Sequence, residues 1–377
     1  MRFAPTRSCL VAAVVAVLGI LSHPSIAHAH GVGGVPPTNY TSVVDVGSPG
    51  ISEVTVKTID LGTRLELVNR GTTTLVVIGY ENEPYLRVGP DGAFENRRSP
   101  TTYLNRTITP SGPPPSNADA SATPEWRKLS DAPVLRWHDH RAHWMGSTPK
   151  VVTADPNTAH QLTTWEIPIR DGTQDLGMIR GTISWVPPSS PWPWILLAIV
   201  LALALAGCAR LVIGRLTWIG ALAMSIATEL VVTFGAYTFS VAPLMSRLFA
   251  NIYNIAGVLV AAVALFATLR RDKRAVAPLV LIAGLVLALG TGLPGFGELT
   301  ASQLPTTLPT PLARCAIALA IGLGIGLAAA AAQFLRPEGT STPRQTTTPR
   351  QIPSTVETKE HLWSRNASSS GSAPSQQ

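Results

Sequence analysis

The sequence predicts a mixed architecture: an exported all-β antiparallel sandwich of the immunoglobulin or cupredoxin kind, followed by an α-helical membrane domain. Three observations predict it. The chain opens with a charged, then apolar, then small-residue segment, the layout of a secretory signal peptide. Residues 30–193 carry short β-branched or alternating runs bounded by Gly, Pro or Asp. After "PPSSPWPW" the composition changes abruptly, and five apolar stretches of 18 to 24 residues follow.

Arg2 and Arg7 precede an apolar run, 10–21, that is short for a membrane span. The small residues of "SIAHAH" then offer two cuts. Cleavage after Ala29 makes residues 1–29 the signal peptide and leaves His30 at the new amino terminus. Cleavage after Ala27 leaves His28 there. Cys9 departs with the signal peptide, and Cys208 and Cys315 sit in apolar runs, so the exported portion is expected to have no disulfides. Its core must hold it.

In the exported region, 30–193, "EVTVKTI" and "RLELVN" alternate as half-buried strands, while "TTLVVIGY", "HQLTTWEIPI" and "GMIRGTISWV" read as strands by composition. Helical periodicity is absent. The "PDG" of "GYENEPYLRVGPDGAFEN" reads as a hairpin turn, or the segment is a recognition loop near the histidines. A proline-rich insertion, 107–124, reads as a long loop. The region is one domain with this insertion, or two small sheets.

The expected spans are 194–213, 216–239, 252–269, 276–293 and 312–335. Arg210, Arg215, the "RRDKR" at 270–274 and the tail 336–377 fall on one side. The opposite connections, 240–251 and 294–311, hold only Arg247. Lys and Arg stay inside, so the expectation is a multi-pass plasma-membrane protein in the lipid bilayer, with an extracytoplasmic β domain and a disordered cytoplasmic tail. The net charge of +7 does not signal nucleic acid: residues 30–193 hold 14 Lys and Arg against 16 Asp and Glu. The excess tracks topology, and no nucleic-acid partner is expected.

Three of eight histidines fall within "WHDHRAHWM". In an extended chain His138 and His140 share a face, and His143 joins them across a turn. Neutral imidazole is the commonest metal ligand. Asp139 is expected to orient a neighbouring ring, and Met145 to add a soft ligand. The alternative is a polar sheet edge packed by Trp137 and Trp144. A mature chain beginning at His30 supplies an amino group and its own imidazole, a copper-preferring chelate, and one beginning at His28 supplies an amino-terminal His-Ala-His motif that also prefers Cu(II). The candidate metal ligands are therefore His30, His138, His140 and His143, and the candidate metal is copper. His160 reads as a surface residue. Glu229 stands mid-span, where a carboxylate is costly, and Tyr237, Asn251, Tyr253 and Asn254 are its available partners.

The start "AHAHG" resembles the copper-resistance C proteins, small exported β-sandwiches whose mature chain begins with a copper-binding histidine. Some are joined to a copper-resistance D membrane domain. The resemblance implies a copper-handling exported domain with His30 as ligand, although this domain is longer and the spans fewer. "WHDHRAHWM", "GYENEPYLRV" and "PPSSPWPW" resemble a group of uncharacterised actinobacterial membrane proteins, which implies the fold and location alone.

The leading expectation is a membrane protein whose exported domain binds copper for buffering or for delivery, to a copper-handling partner or to the membrane half. The alternative is a membrane-anchored interaction or sensor module without metal. A copper oxidase is a third reading, but no G-x-S-x-G, P-loop or placed carboxylate pair supports an enzyme, and none is expected.

Overall fold

The computed structural model describes residues 35–108 and 112–335. The expected signal peptide 1–29, His30 and the tail 336–377 lie outside the described residues. Among the latter, ten strands build the β domain: β1 (Tyr40–Val44), β2 (Val54–Ile59), β3 (Arg64–Asn69), β4 (Leu75–Ile78), β5 (Pro84–Gly89), β6 (Gly92–Asn96), β7 (Trp126–Ser130), β8 (Val134–His138), β9 (His160–Asp171) and β10 (Gln174–Trp185). All pairings are antiparallel. Seven strands form one sheet in the order β1-β10-β9-β4-β5-β6-β7, and β2-β3-β8 form another.

The period-two pattern of β9 and β10 decides which face is buried. Trp165, Ile167, Ile169, Ile179 and Ile183 point inward, and Glu166 and Arg180 point out. Gly172, at φ +56°, takes the left-handed conformation that a two-residue hairpin loop requires. In β3, Leu65 and Leu67 are fully buried, while Glu66 faces outward and is still covered. Its direct cross-strand neighbours, Lys57 and Arg136, close over it at 2.9 and 2.6 Å. Burial raises the Glu66 pKa, but these two hydrogen-bonded cations outweigh it and hold the carboxyl below its usual value.

Leu65, Leu67, Leu135 and Trp137 from the smaller sheet share one core with Leu75, Val77, Ile167, Ile169 and Ile179 from the larger. The two sheets therefore belong to one domain. The hairpin turn expected at "PDG" joins β5 to β6. Two one-turn helices, α1 (Pro100–Leu104) and α2 (Lys150–Ala154), were not expected; five residues are too few to display a helical period.

The remaining helices are α3 (Trp192–Cys208), α4 (Gly214–Phe239), α5 (Leu244–Ala250), α6 (Ile252–Arg270), α7 (Lys273–Leu287) and α8 (Thr310–Leu335). A π-helical turn, Ala288–Gly292, extends α7. Four segments, 214–239, 252–270, 273–292 and 310–335, are long and apolar enough to cross a membrane. The first expected span, 194–213, corresponds to a shorter helix: α3 is 17 residues long and ends at Cys208. Turns then form, with Leu211 N on Cys208 O and Gly214 N on Leu211 O. The short α5 was also unforeseen.

Helix α8 is the centre of the bundle. A Cβ on Gly322 would stand 2.7 Å from Ala198 O, and one on Gly326 would stand 3.0 Å from Ala202 Cα, so both glycines let α3 approach closely. At one end of the bundle, basic side chains cap helix carbonyls: Arg210 Nη2 donates to Gln333 O at 2.8 Å, Arg215 Nε to Thr268 O at 3.0 Å and Lys273 Nζ to Ala209 O at 3.0 Å. At the other end, Thr38 and Gln303 exchange two backbone hydrogen bonds of 3.1 and 2.9 Å, tying the β domain to the α7–α8 connection.

Candidate metal centre

The histidine segment does not continue as a strand. Strand β8 ends at His138, and Ala142 N donates to Asp139 O at 2.9 Å, which closes a turn. His138 thus stands on a strand end and His140 and His143 on the turn, which corrects the expected shared face of His138 and His140. The cause is Asp139. Its side chain is fully buried, and its carboxylate accepts from Arg141 Nε and Nη2, both at 2.8 Å, and from Trp137 Nε1 at 3.1 Å. It bonds no imidazole, so its expected role passes to its backbone: His143 Nδ1 meets Asp139 O at 3.2 Å.

Residues that sequence reading did not single out hold this turn. Arg141 Nη2 also reaches Ile78 O at 3.2 Å, and its guanidinium covers the Tyr80 ring at 4.8 Å. Burial lowers the Arg141 pKa, but the bond to Asp139 outweighs it and raises it. The Tyr80 hydroxyl donates to Asn105 Oδ1 and accepts from His140 N at 3.1 Å. Burial, then the Asp139 charge, push the Tyr80 phenol up. The "GYENEP" segment therefore does lie beside the histidines, through Tyr80 rather than a carboxylate. Glu83 is turned away: it is buried and accepts from Ser99 Oγ at 2.6 Å and Thr101 Oγ1 at 2.7 Å.

Each of the three rings places one nitrogen on a backbone carbonyl: His138 Nδ1 on Thr63 O at 3.0 Å, His140 Nε2 on Thr107 O at 2.9 Å, and His143 Nδ1 on Asp139 O. A carbonyl only accepts, so these nitrogens carry the hydrogen. In the neutral rings His138 Nε2, His140 Nδ1 and His143 Nε2 are then bare acceptors. His143 Nε2 is buried and makes no hydrogen bond of full geometry, although the Ile108 backbone lies near enough to the ring to raise its pKa. Burial lowers the pKa of His138 and of His143, with repulsion from Arg64 and His143 adding to this at His138 and from His140 at His143, so both favour the neutral form.

The His140 and His143 ring centroids are 5.5 Å apart. An ion about 2 Å from one nitrogen of each ring fits centroid separations up to roughly 6 Å. Among the described residues no three His, Cys, Asp or Glu side chains converge closely enough to hold an ion together. The three imidazoles are thus not a closed site by themselves. Met145 is largely exposed; Trp137 is in the core, and Trp144 stacks on Tyr40 at 5.9 Å. His160 Nε2 meets Asp155 O at 2.7 Å, away from the cluster.

Glu229 lies on α4 and is 1 % exposed. Its two oxygens accept from Thr291 Oγ1 at 2.8 and 2.9 Å. None of the partners expected from the sequence bonds it; the partner comes from the π turn, whose register no sequence pattern announced. Cys208 and Cys315 fall at opposite ends of the bundle.

The chain matches no protein-family model, no curated protein and no solved structure.

Proposed function

We propose that the β domain is exported and binds copper, with the membrane helices as anchor, for buffering the ion or passing it to a partner. His140 and His143 supply imidazole nitrogens, His138 stands beside them, and His30 at the mature amino terminus completes the set. One observation carries the reading: all three rings are held by backbone carbonyls through one nitrogen, which leaves the second nitrogen of each ring as the potential ligand. Backbone anchoring of the distal nitrogen is how ligating imidazoles are usually oriented. An N-rich set favours copper among divalent ions. Reach supports the fourth ligand: Tyr40 stacks on Trp144, beside His143, and ten residues of chain span up to about 33 Å.

The same reading makes the protein a multi-pass protein of the plasma membrane. The 17-residue α3 is then the fifth crossing, with Trp192 near the headgroups. No catalytic step is proposed.

The test is a chelator-competition titration of the full chain in detergent with Cu(II). His143→Ala is expected to weaken binding by about 10- to 100-fold, and His160→Ala to leave it unchanged. Equal affinity in the parent and in His143→Ala would end the copper reading. Loss of a protein partner in that variant, with metal content unchanged, would favour an interaction module.

A further inference from the structure

The membrane domain holds two buried carboxylates on one face of α4. Glu229 is the inner one. Gly257 on α6 makes room for it: a Cβ there would stand 2.6 Å from Glu229 Oε1. Thr291 reaches it because the π turn 288–292 rotates that residue out of α-helical register; such turns are frequent at functional sites. Glu298, in the 3-10 turn Pro294–Leu299 just beyond the π turn, is the outer one. Its side chain is 7 % exposed and lines a small cavity with Val232, Ala236, Thr306 and Ile317, on the order of a single water in size. Among the described residues nothing donates to its carboxylate. Burial pushes its pKa up to about 7.

Val232 and Ala236 lie one and two turns of α4 from Glu229, so the two carboxylates are separated by about 5–10 Å along the helix. The interval is polar. Thr233 Oγ1, one turn outward from Glu229, is buried without a partner. So are Asn254 Nδ2 and Asn251 Oδ1, which sit one and two turns outward from Gly257 on the same side of the bundle. The Thr228 hydroxyl beside Glu229 is also unpartnered. Inward, the helices close with the fully buried Leu222 and Ala264 and with Trp218, whose indole N–H is the comparable orphan there among the described residues. Polar atoms kept dry and unpaired are costly, and water, which both donates and accepts, is what would satisfy them.

We propose that Glu298 and Glu229 form a proton relay open to the β-domain side of the membrane, with Glu229 as its terminal proton-binding site. A hydronium in the cavity protonates Glu298 and leaves as water; the proton then passes through the Thr233 hydroxyl and intervening water, which the Asn254 side chain helps to hold, to Glu229. Only O–H bonds form and break. The site is a half-channel, since the inner side is packed with apolar side chains. The fixed charge nearest to Glu298 is Arg314, which makes no ion pair with its carboxylate. Arg314 on α8 spends its guanidinium on the carbonyls of Glu298 and Ala301, at 3.2 and 2.7 Å. Tyr237 on α4, Arg247 on α5, Tyr253 on α6 and Cys315 on α8 are the other titratable or charged groups toward the outer end, with Arg247 lying over the Tyr237 ring at 5.0 Å. Arg270, Lys273, Arg274 and Cys208 lie at the inner end. The proposal is independent of copper.

The test uses pH-difference infrared spectra of the full chain in oriented proteoliposomes. The expected result is two protonated-carboxyl bands, one lost in Glu229→Gln and the other in Glu298→Gln. The Glu229 band follows the pH of the β-domain side, and in Glu298→Gln it follows about 100-fold more slowly. Thr291→Val, which removes one hydroxyl, keeps the Glu229 band but shifts it, and so reports on the site if Glu229→Gln fails to fold. A Glu229 band that tracks the opposite side, or that equilibrates as fast in Glu298→Gln as in the parent, would overturn the relay.

Discussion

Asp139 has no exposed surface, and its charge is matched by the Arg141 guanidinium at 2.8 Å. Removing one partner of a buried pair leaves the other charge unmatched, at about 3–5 kcal/mol. Asp139→Ala is therefore expected to lower the thermal midpoint of the β domain sharply, read by near-ultraviolet circular dichroism, and to release the 139–143 turn that carries two of the histidines. An unchanged midpoint would mean Arg141 finds another partner. The histidines set a pH dependence. Their folded pKa values are depressed by burial, so their contribution to stability is present above the ordinary value near 6.5 and is lost as the pH falls through the lowered values. The β domain is expected to weaken on acidification through this window, and His138→Gln with His143→Gln to flatten the fall. A copper site on the same nitrogens weakens in the same direction, because ligands must be deprotonated.

At the scale of elements, what the sequence reveals depends on how local the cause is. Strands β9 and β10 were legible because their β-branched and aromatic composition acts within a dozen residues; the hairpin at Gly172 that joins them was not singled out. The end of β8 was not legible, because it is set by Asp139 meeting Arg141, Trp137 and the Tyr80 segment, contacts that become visible only once the chain is folded. The Thr291 partner of Glu229 was hidden for a related reason: a π turn shifts register without altering composition. Glu298 lay in an outward connection and gave no signal of burial. Helix packing is open to a direct test. Gly326→Leu overpacks the α3–α8 contact and is expected to cost about 1–3 kcal/mol, seen as a lower unfolding temperature in detergent. Gly220→Leu, at a position with open space around it, is the matched control and is expected to change little. Equal effects would show that the close approach of α3 to α8 does not matter.

At the scale of the molecule, the β domain and the α7–α8 connection lie at one end of the bundle, and the carbonyl-capping cations at the other. With five crossings, this arrangement agrees with positive charge staying inside. In a chain whose own cysteines are replaced by alanine, a cysteine at Gly112 is expected to react with an impermeant thiol reagent on intact cells. One at Arg271 is expected to react only after the membrane is opened. Reaction of both from outside would refute the topology. The two proposals together would divide the labour between a metal-binding domain on one face and a proton-accessible carboxylate within the bundle.

The copper reading turns on whether the mature amino terminus and the 139–143 turn share one ion. The most direct measurement is the electron paramagnetic resonance spectrum of the full chain, secreted so that natural cleavage occurs, with its first residue determined and one equivalent of Cu(II) added. The account predicts a chain beginning at His30 and a single nitrogen-rich signal that changes in both His140→Ala and His143→Ala. A nitrogen-rich signal indifferent to both substitutions would place copper on the amino terminus alone and contradict the account.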